Sequence, residues 1–452
     1  MRIILAGSGQ IGYALIKSFL DEGHDLTIID EDQNTINNIQ NTFDVMTLCG
    51  NCATASALHD ANIEKADLLI AVTSKDEINL LACMTSKSIN PKIHTIARIR
   101  NPEYANQVYS MQEVTGLSLI VNPEQSVANE IYMLLKMPGF LRRESFARGQ
   151  FEIVELKVDQ NSVLNGLALN QLPGTVKCKA LVCAIVRNDQ CIIPRGNHTI
   201  EAGDRIFVAA PTDSLSDLLK NVGVTTKRVK NCMIIGGGRS TYYLGKKLID
   251  SGIKVKIIEP DPTVSRLIMN QLPKASVIQE NPQDQDSLIR EGIEDFDSLV
   301  SLTSQDAVNA ITAMFGTTLG IQTIISKFDQ MSSSVLFGKI PIGSIVRPQD
   351  LASNAILRYV RAMQNQSGAA ISIHNIADGK AEALEFEVNE HTLHIGEPLK
   401  SFKLKDNVLI SCITTGSETS IPNGDSKFNP GDTLVIVSSH SGAIAQLNDI
   451  FA

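Results

Sequence analysis

Short runs of consecutive apolar residues alternate with longer stretches whose apolar positions recur every three or four residues. The first run is Ile3, Ile4 and Leu5, inside MRIILAGSGQIG at 1–12. A run of this kind suits a strand buried on both faces. Ile11, Leu15, Phe19 and Leu20 follow at helical spacing, which predicts a helix over Gln10 to Asp21. A second run, Leu26 to Ile29, closes on Asp30; a third is Val45 to Leu48, and a fourth, ADLLIAVT, is Ala66 to Thr73. KIHTIARIR from Lys92 to Arg100 and Leu117 to Val121 continue the series. Val127, Ile131, Leu134 and Leu135 give a helix over Ser126 to Lys136 one apolar stripe, stopped by Pro138 and Gly139. That stripe fits either a pairing surface or core packing within one chain. Strands alternating with helices predict a parallel sheet covered on both faces.

From Phe140 the texture changes. FEIVELKV, Phe151 to Val158, alternates as a strand with one wet face does. Short strands and turns continue through Ala210, so a compact β-rich module follows the first. The pattern then restarts. NCMIIGGG begins at Asn231, and KVKIIE ends at Glu259. Gly236 and Glu259 each stand 229 positions after Gly7 and Asp30, and Gly431–Asp432 stands 228 after Gly203–Asp204. Retained order and spacing predict a tandem duplication. The expected fold is α/β: a Rossmann-like parallel-sheet domain followed by a small β-rich α+β domain, twice. The expected boundaries are 1–139, 140–223, 229–360 and 361–452, with the halves paired about a pseudo-twofold axis.

The glycines add chemistry to this frame. Gly7 and Gly9 permit a tight turn and close approach of a ligand, and Gly12 lets the helix pack near the strand. The helix start offers free N–H groups to a phosphate. An acid at a strand tip about twenty residues on, Asp30, suits the hydroxyls of an adenosine ribose and disfavours a 2′-phosphate. The candidate cofactor is therefore NAD or NADH, on Gly7, Ser8, Gly9, Gln10, Ile11, Gly12 and Asp30. Asn51 and Cys52 fall in a loop of small residues on the adenine side, although Asn51 also suits a simple turn. Thr73, Ser74 and Asn79 fall at the carboxyl end of the fourth strand, where such sheets bind ligands; Asp76 or Ser74 also suits a cap of the next helix. Arg98 and Arg100 share a face if their strand persists, fit for a pyrophosphate clamp, an ion pair or plain solvent exposure.

The second copy differs. Thr241 replaces the third glycine, Arg239 and Tyr242 crowd the turn, and Pro260 follows Glu259. The strand compared with the arginine pair reads VLFGKI, followed by Pro341. Weak or absent nucleotide binding is expected there.

A formal charge of -9 over 452 residues, without a basic stripe, argues against nucleic acid as a partner. The first residues already read as strand, so no signal peptide is expected, and no apolar stretch is long enough to span a bilayer. The eight cysteines are scattered, which fits reduced thiols. Cys49 and Cys52 form a CxxC pair without a second ligand pair, so no metal site is expected. The histidines do not converge on an acid–base pair, and no catalytic residue is assigned. A soluble NAD-dependent oxidoreductase stays open as the alternative to a nucleotide-responsive regulator.

AGSGQIG, Asp30, TSKDEINL from Thr73 to Leu80, IARIR ending at Arg100, NPEQ from Asn122 to Gln125 and the two Gly–Asp turns together resemble the TrkA family of bacterial Trk potassium uptake systems. The resemblance covers essentially the whole chain. It implies a cytoplasmic, non-catalytic regulatory subunit with RCK-type domains. Such a subunit is held peripherally at the inner face of the cell membrane by a potassium-translocating membrane subunit. It implies NAD or NADH binding, with ATP or ADP as further candidates, and a homo-oligomer, dimer or tetramer, forming a gating ring. It assigns Gly7, Gly9 and Gly12 to the phosphate turn and Asp30 to the ribose. Thr73 is placed beside the nucleotide, and Arg98 and Arg100 on the phosphate side or at an interface. A regulator of a different potassium channel or efflux system is the remaining alternative.

Overall fold

The computed structural model describes residues 1–110, 116–223, 228–329, 342–364, 368–439, 444 and 446–452. The first apolar runs form β1 (Arg2–Ala6), β2 (Asp25–Asp30), β3 (Met46–Cys49), β4 (Leu68–Ala71), β5 (His94–Arg98) and β6 (Leu119–Val121). They pair in parallel in the order β3-β2-β1-β4-β5-β6. Between them run α1 (Gln10–Asp21), α2 (Gln33–Thr42), α3 (Ala55–Asp60), α4 (Asp76–Ile89) and α5 (Pro102–Ser110). The order reverses between β1 and β4, which opens a crevice beyond their carboxyl ends.

The next helix, α6 (Pro123–Lys136), starts three residues earlier than its apolar stripe indicates. Asn122 accepts from Gln125 N at 2.9 Å, and Pro123 needs no partner for an N–H it lacks. The small module follows as β7 (Arg142–Phe146), β8 (Phe151–Lys157), a one-turn α7 (Leu172–Thr175), β9 (Leu181–Arg187), β10 (Gln190–Ile192), β11 (Arg205–Pro211) and α8 (Leu215–Asn221). Its antiparallel order is β10-β9-β11-β8-β7.

The second half repeats both sheets. β12 (Asn231–Ile235), α9 (Arg239–Asp250), β13 (Lys254–Ile258), α10 (Pro262–Gln271), β14 (Ser276–Ile278), α11 (Gln285–Arg290), β15 (Ser298–Ser301), α12 (Asp306–Thr318), β16 (Thr323–Lys327), β17 (Ser344–Val346) and α13 (Pro348–Gln364) lead into β18 (Ala370–Ile376), β19 (Ala381–Glu387), β20 (Val408–Thr415), β21 (Glu418–Ser420) and β22 (Thr433–Ser438). The orders β14-β13-β12-β15-β16-β17 and β18-β19-β22-β20-β21 match the first half strand for strand.

The apolar stripes of α6 and α13 answer the question left by sequence, because the two helices are exchanged. Val127, Ile131, Leu134 and Leu135 of α6 are buried in the second half's core with Cys232, Ile234, Leu244 and Leu248. Ala352, Ile356, Leu357 and Val360 of α13 are buried in the first half's core with Ile3, Leu5, Leu15 and Phe19. Burying four such side chains contributes on the order of 8 kcal/mol before ordering costs. The two small sheets also share one core: Phe146, Phe151, Cys183 and Phe207 pack with Ile376, Ala383, Cys412 and Val435.

Candidate nucleotide site

The first glycine turn joins β1 to α1 at the crevice. Gly7 has φ +93°, and a Cβ there would lie 2.8 Å from Thr73 N, so the turn and the end of β4 are in backbone contact. A Cβ on Gly12 would collide with the Gly7 carbonyl oxygen. Gly9 differs: a Cβ there meets nothing within 4 Å. Gly9 is the N-cap of α1 and supplies no side-chain cap, so the helix start faces open space with its N–H groups uncovered. Ile11 is buried behind the turn and Gln10 is exposed.

Asp30 ends β2 beside this turn. Its Oδ2 accepts from Ser8 N at 2.7 Å and Ser8 Oγ at 2.5 Å, and its Oδ1 accepts from Asp32 N at 3.0 Å. Two backbone N–H groups hold the carboxylate in place; Oδ2 is filled by the two Ser8 bonds, and Oδ1 keeps acceptor capacity for a further donor. Ser8, expected among the cofactor residues, is buried and spends its N–H and hydroxyl on positioning Asp30.

Thr73 and Asn79 are joined. Thr73 N and Oγ1 donate to Asn79 Oδ1 at 2.9 and 2.7 Å, while Asn79 Nδ2 donates to the carbonyl oxygens of Thr73 and Arg98. Asn79 is fully buried, so it lies beneath the crevice and ties the ends of β4 and β5. Ser74 is exposed at the loop. Neither Ser74 nor Asp76 caps α4: the N-cap is Lys75, without a side-chain bond. Asp76 Oδ2 instead accepts from Arg100 N and Asn101 N at 2.8 and 2.7 Å.

The arginine pair is split. β5 ends at Arg98, and Arg100 turns to Asp76 and to the Ser74 carbonyl. Arg98 stays near the crevice end of the sheet, 3.9 Å from Glu124, with its Nε and Glu124 Oε2 buried and lacking hydrogen-bond partners. Burial pulls the Arg98 pKa down, opposed by Glu124 and assisted by Arg100 and Arg239. A desolvated guanidinium with an orphan N–H favours an incoming anion. The residue neighbouring it from the other half, Arg239, starts α9.

Asn51 takes the turn role: its Oδ1 accepts from Ala53 N at 2.9 Å. Cys52 is buried, and burial first, then Glu31, pushes its thiol up to about 11, which makes a poor thiolate ligand or nucleophile. Cys49 is exposed. Among the described residues no group of three or more His, Cys, Asp or Glu is arranged to hold a metal ion.

The second crevice keeps more than its sequence indicates. Glu259 accepts from Gly237 N at 2.6 Å and Asp261 N at 2.8 Å, and Thr303–Asn309 repeats the Thr73–Asn79 clamp. Thr241, in place of Gly12, turns its hydroxyl onto the Gly236 carbonyl at 2.6 Å. VLFGKI, at 335–340, lies outside the described residues, and it is not the counterpart of the arginine strand. That strand is β16, paired between β15 and β17 as β5 is between β4 and β6. Lys327 stands at its end and is paired with Asp329 at 2.7 Å.

The comparisons place this architecture. The TrkA-N domain model matches residues 3–123 and again 232–348, and the TrkA-C domain model matches 153–223. The chain is 31% identical over 451 residues to Trk system potassium uptake protein TrkA homolog 1 of Methanosarcina mazei, covering 98% of each chain. It is 29% identical to Trk system potassium uptake protein TrkA of Haemophilus influenzae, covering 100% of this chain and 98% of that one. The crystal structure of the GsuK RCK domain superposes with a TM-score of 0.61 at 14% identity, covering 98% of this chain and 93% of that chain, a likeness of fold. Two glycine-turn sheets, each followed by a small antiparallel sheet, and a match along nearly the whole length make this chain a member of the TrkA family of potassium-uptake regulatory proteins.

Proposed function

We propose that the chain is the nucleotide-sensing subunit of a Trk-type potassium uptake system. It binds NAD or NADH in the first crevice and governs flux through a membrane subunit by changing shape. The observation that carries this is the pairing of an open glycine turn with a prepositioned acid: Gly9 faces space, and Asp30 is held by Ser8 N and Asp32 N. In this reading the turn N–H groups hold the pyrophosphate and Asp30 accepts from the ribose hydroxyls. Arg98 Nε, buried and without a partner, supplies a charge-assisted donor on the phosphate side. A fold relative described as the GsuK channel bound to NAD, and another as GsuK bound to ADP, support a nucleotide ligand and keep ADP or ATP as further candidates.

In this reading the nucleotide acts by binding one of two arrangements of the chain better than the other. No described helix is long and apolar enough to cross a membrane, and attachment at the inner membrane face goes through protein contacts. Leu81 and Met84 are exposed on α4, and Ile311 and Met314 are exposed on α12 at equivalent places. Each chain therefore offers two like apolar faces for assembly into a ring.

The deciding experiment is purification of the tagged chain from membranes with identification of its partner, alongside potassium uptake in a strain lacking the gene. Co-purification with a potassium-translocating subunit and impaired uptake at low external potassium are expected. Normal uptake in a strain without a redundant subunit overturns the proposal.

A further inference from the structure

Glu144 of β7 and His374 of β18 are equivalent residues, 230 apart, and they touch: His374 Nδ1 lies 2.6 Å from Glu144 Oε2. They sit where the two small sheets meet. The other ring nitrogen, His374 Nε2, is 3.3 Å from Arg358 Nη2 of α13. Arginine only donates, so Nε2 carries the lone pair and Nδ1–H is the donor to Glu144. In this arrangement the imidazole is held between a carboxylate and a guanidinium. Its ring also meets Phe146 edge-on, with centroids 4.8 Å apart.

The surroundings are charged on every side. On β7, Arg142 Nε donates to Glu144 Oε1 at 2.7 Å, so the carboxylate already serves one cation. Neighbouring Arg143 is doubly bonded to Glu152 of β8 at 2.6 Å. From α6 comes Glu130, from β8 Glu155, and from α13 Asp350, each electrostatically coupled to this group. From β19, Glu385 accepts from Ser372 Oγ at 2.8 Å and from Ala147 N at 2.8 Å. His374 is the residue whose side-chain type changes charge between pH 5 and 8.

We propose that His374 is a proton-operated latch between α13 and the paired small sheets. A proton on Nε2 removes the lone pair that Arg358 uses and sets two cations face to face, while the bond to Glu144 persists. Arg358 must then leave. Its helix buries its apolar face in the first Rossmann core, so releasing the latch loosens the link between the nucleotide-binding half and the small modules. The inference rests on the fold and not on the assignment of a nucleotide.

The test is hydrogen–deuterium exchange on the full chain without nucleotide at pH 8 and pH 6, corrected for intrinsic rates. In the natural chain, amides of α13 and β18 are expected to exchange about tenfold faster at pH 6, the scale of one lost bond to a charged group. His374→Gln, which cannot titrate, is expected to abolish the difference, and Arg358→Gln to give the faster rate at both pH values. An equal response in His374→Gln and the natural chain overturns the latch. If the variants fail to fold, unchanged exchange of α13 and β18 in the natural chain between the two pH values overturns it alone.

Discussion

Arg361 near the end of α13 clasps Glu22 just beyond the end of α1, with Nε 3.0 Å from Glu22 Oε1 and Nη2 on the same oxygen. The contact joins residues 339 positions apart and fixes the exchanged helix on the first domain. Arg361→Ala leaves Glu22 beside His24 with its main cation gone. We expect a loss of about 1–3 kcal/mol, read from urea midpoints at unchanged m-value. Glu22→Gln with Arg361→Ala should cost less than the sum of the single variants, as contacting residues do.

The two glycines that bracket the turn should separate binding from folding. Gly9→Val projects into the open crevice, so the melting temperature should stay within a few degrees while NADH affinity in calorimetry falls at least about tenfold. Gly12→Val drives a side chain into the Gly7 carbonyl and should lower stability by about 2–4 kcal/mol. Asp30→Ala should weaken NADH binding without the packing defect; unchanged affinity in both Gly9→Val and Asp30→Ala overturns the site.

Much of this was legible in the chain. Consecutive apolar runs marked the strands, and the glycine turn with Asp30 marked the crevice. The repeat near 229 residues foretold a second copy with the same strand order. Other features depend on distance in three dimensions. A stripe such as Val127–Ile131–Leu134 reports that α6 is covered, not by which half. The Arg98–Arg100 spacing assumed a strand that in fact stops at Arg98: Ile99 N still donates to the Val121 carbonyl, but Asp76 captures the N–H groups of Arg100 and Asn101. VLFGKI is not the counterpart of the arginine strand, since apolar content alone cannot fix register across a duplication.

The second half replaces buried alanines with serines. Ser301 and Ser326 are neighbours in β15 and β16 where the first half has Ala71 and Ala97, and both hydroxyls are buried without partners. Ser301→Ala and Ser326→Ala should each stabilise the chain by about 0.5–1.5 kcal/mol in denaturant melts, because an unmet hydroxyl is removed. Destabilisation by either change overturns this account.

Acid sensitivity should centre on Glu144. Burial by itself raises its pKa, but Arg142 and then His374 draw it down to about 2. A depressed carboxylate contributes stability above its unfolded value near 4.5 and loses it as pH falls toward about 2. Glu144→Gln should therefore flatten the fall in unfolding free energy over that interval while lowering stability at neutral pH. A parallel, unflattened curve would contradict the assignment.

Thiol chemistry gives a quick check on the first crevice. At pH 8 an alkylating reagent should modify Cys49, which is exposed, and spare Cys52, which is buried with its thiol at about 11. Mass spectrometry of the native chain reads both sites; equal labelling would show that the loop between them opens.

The traded helices leave neither half in possession of its own roof. Whatever tilts the first sheet must tug a lever rooted in the opposite module, and the reverse holds as well. In a chain laced in this way, whatever moves the core beneath one crevice also moves a helix that belongs to the other half.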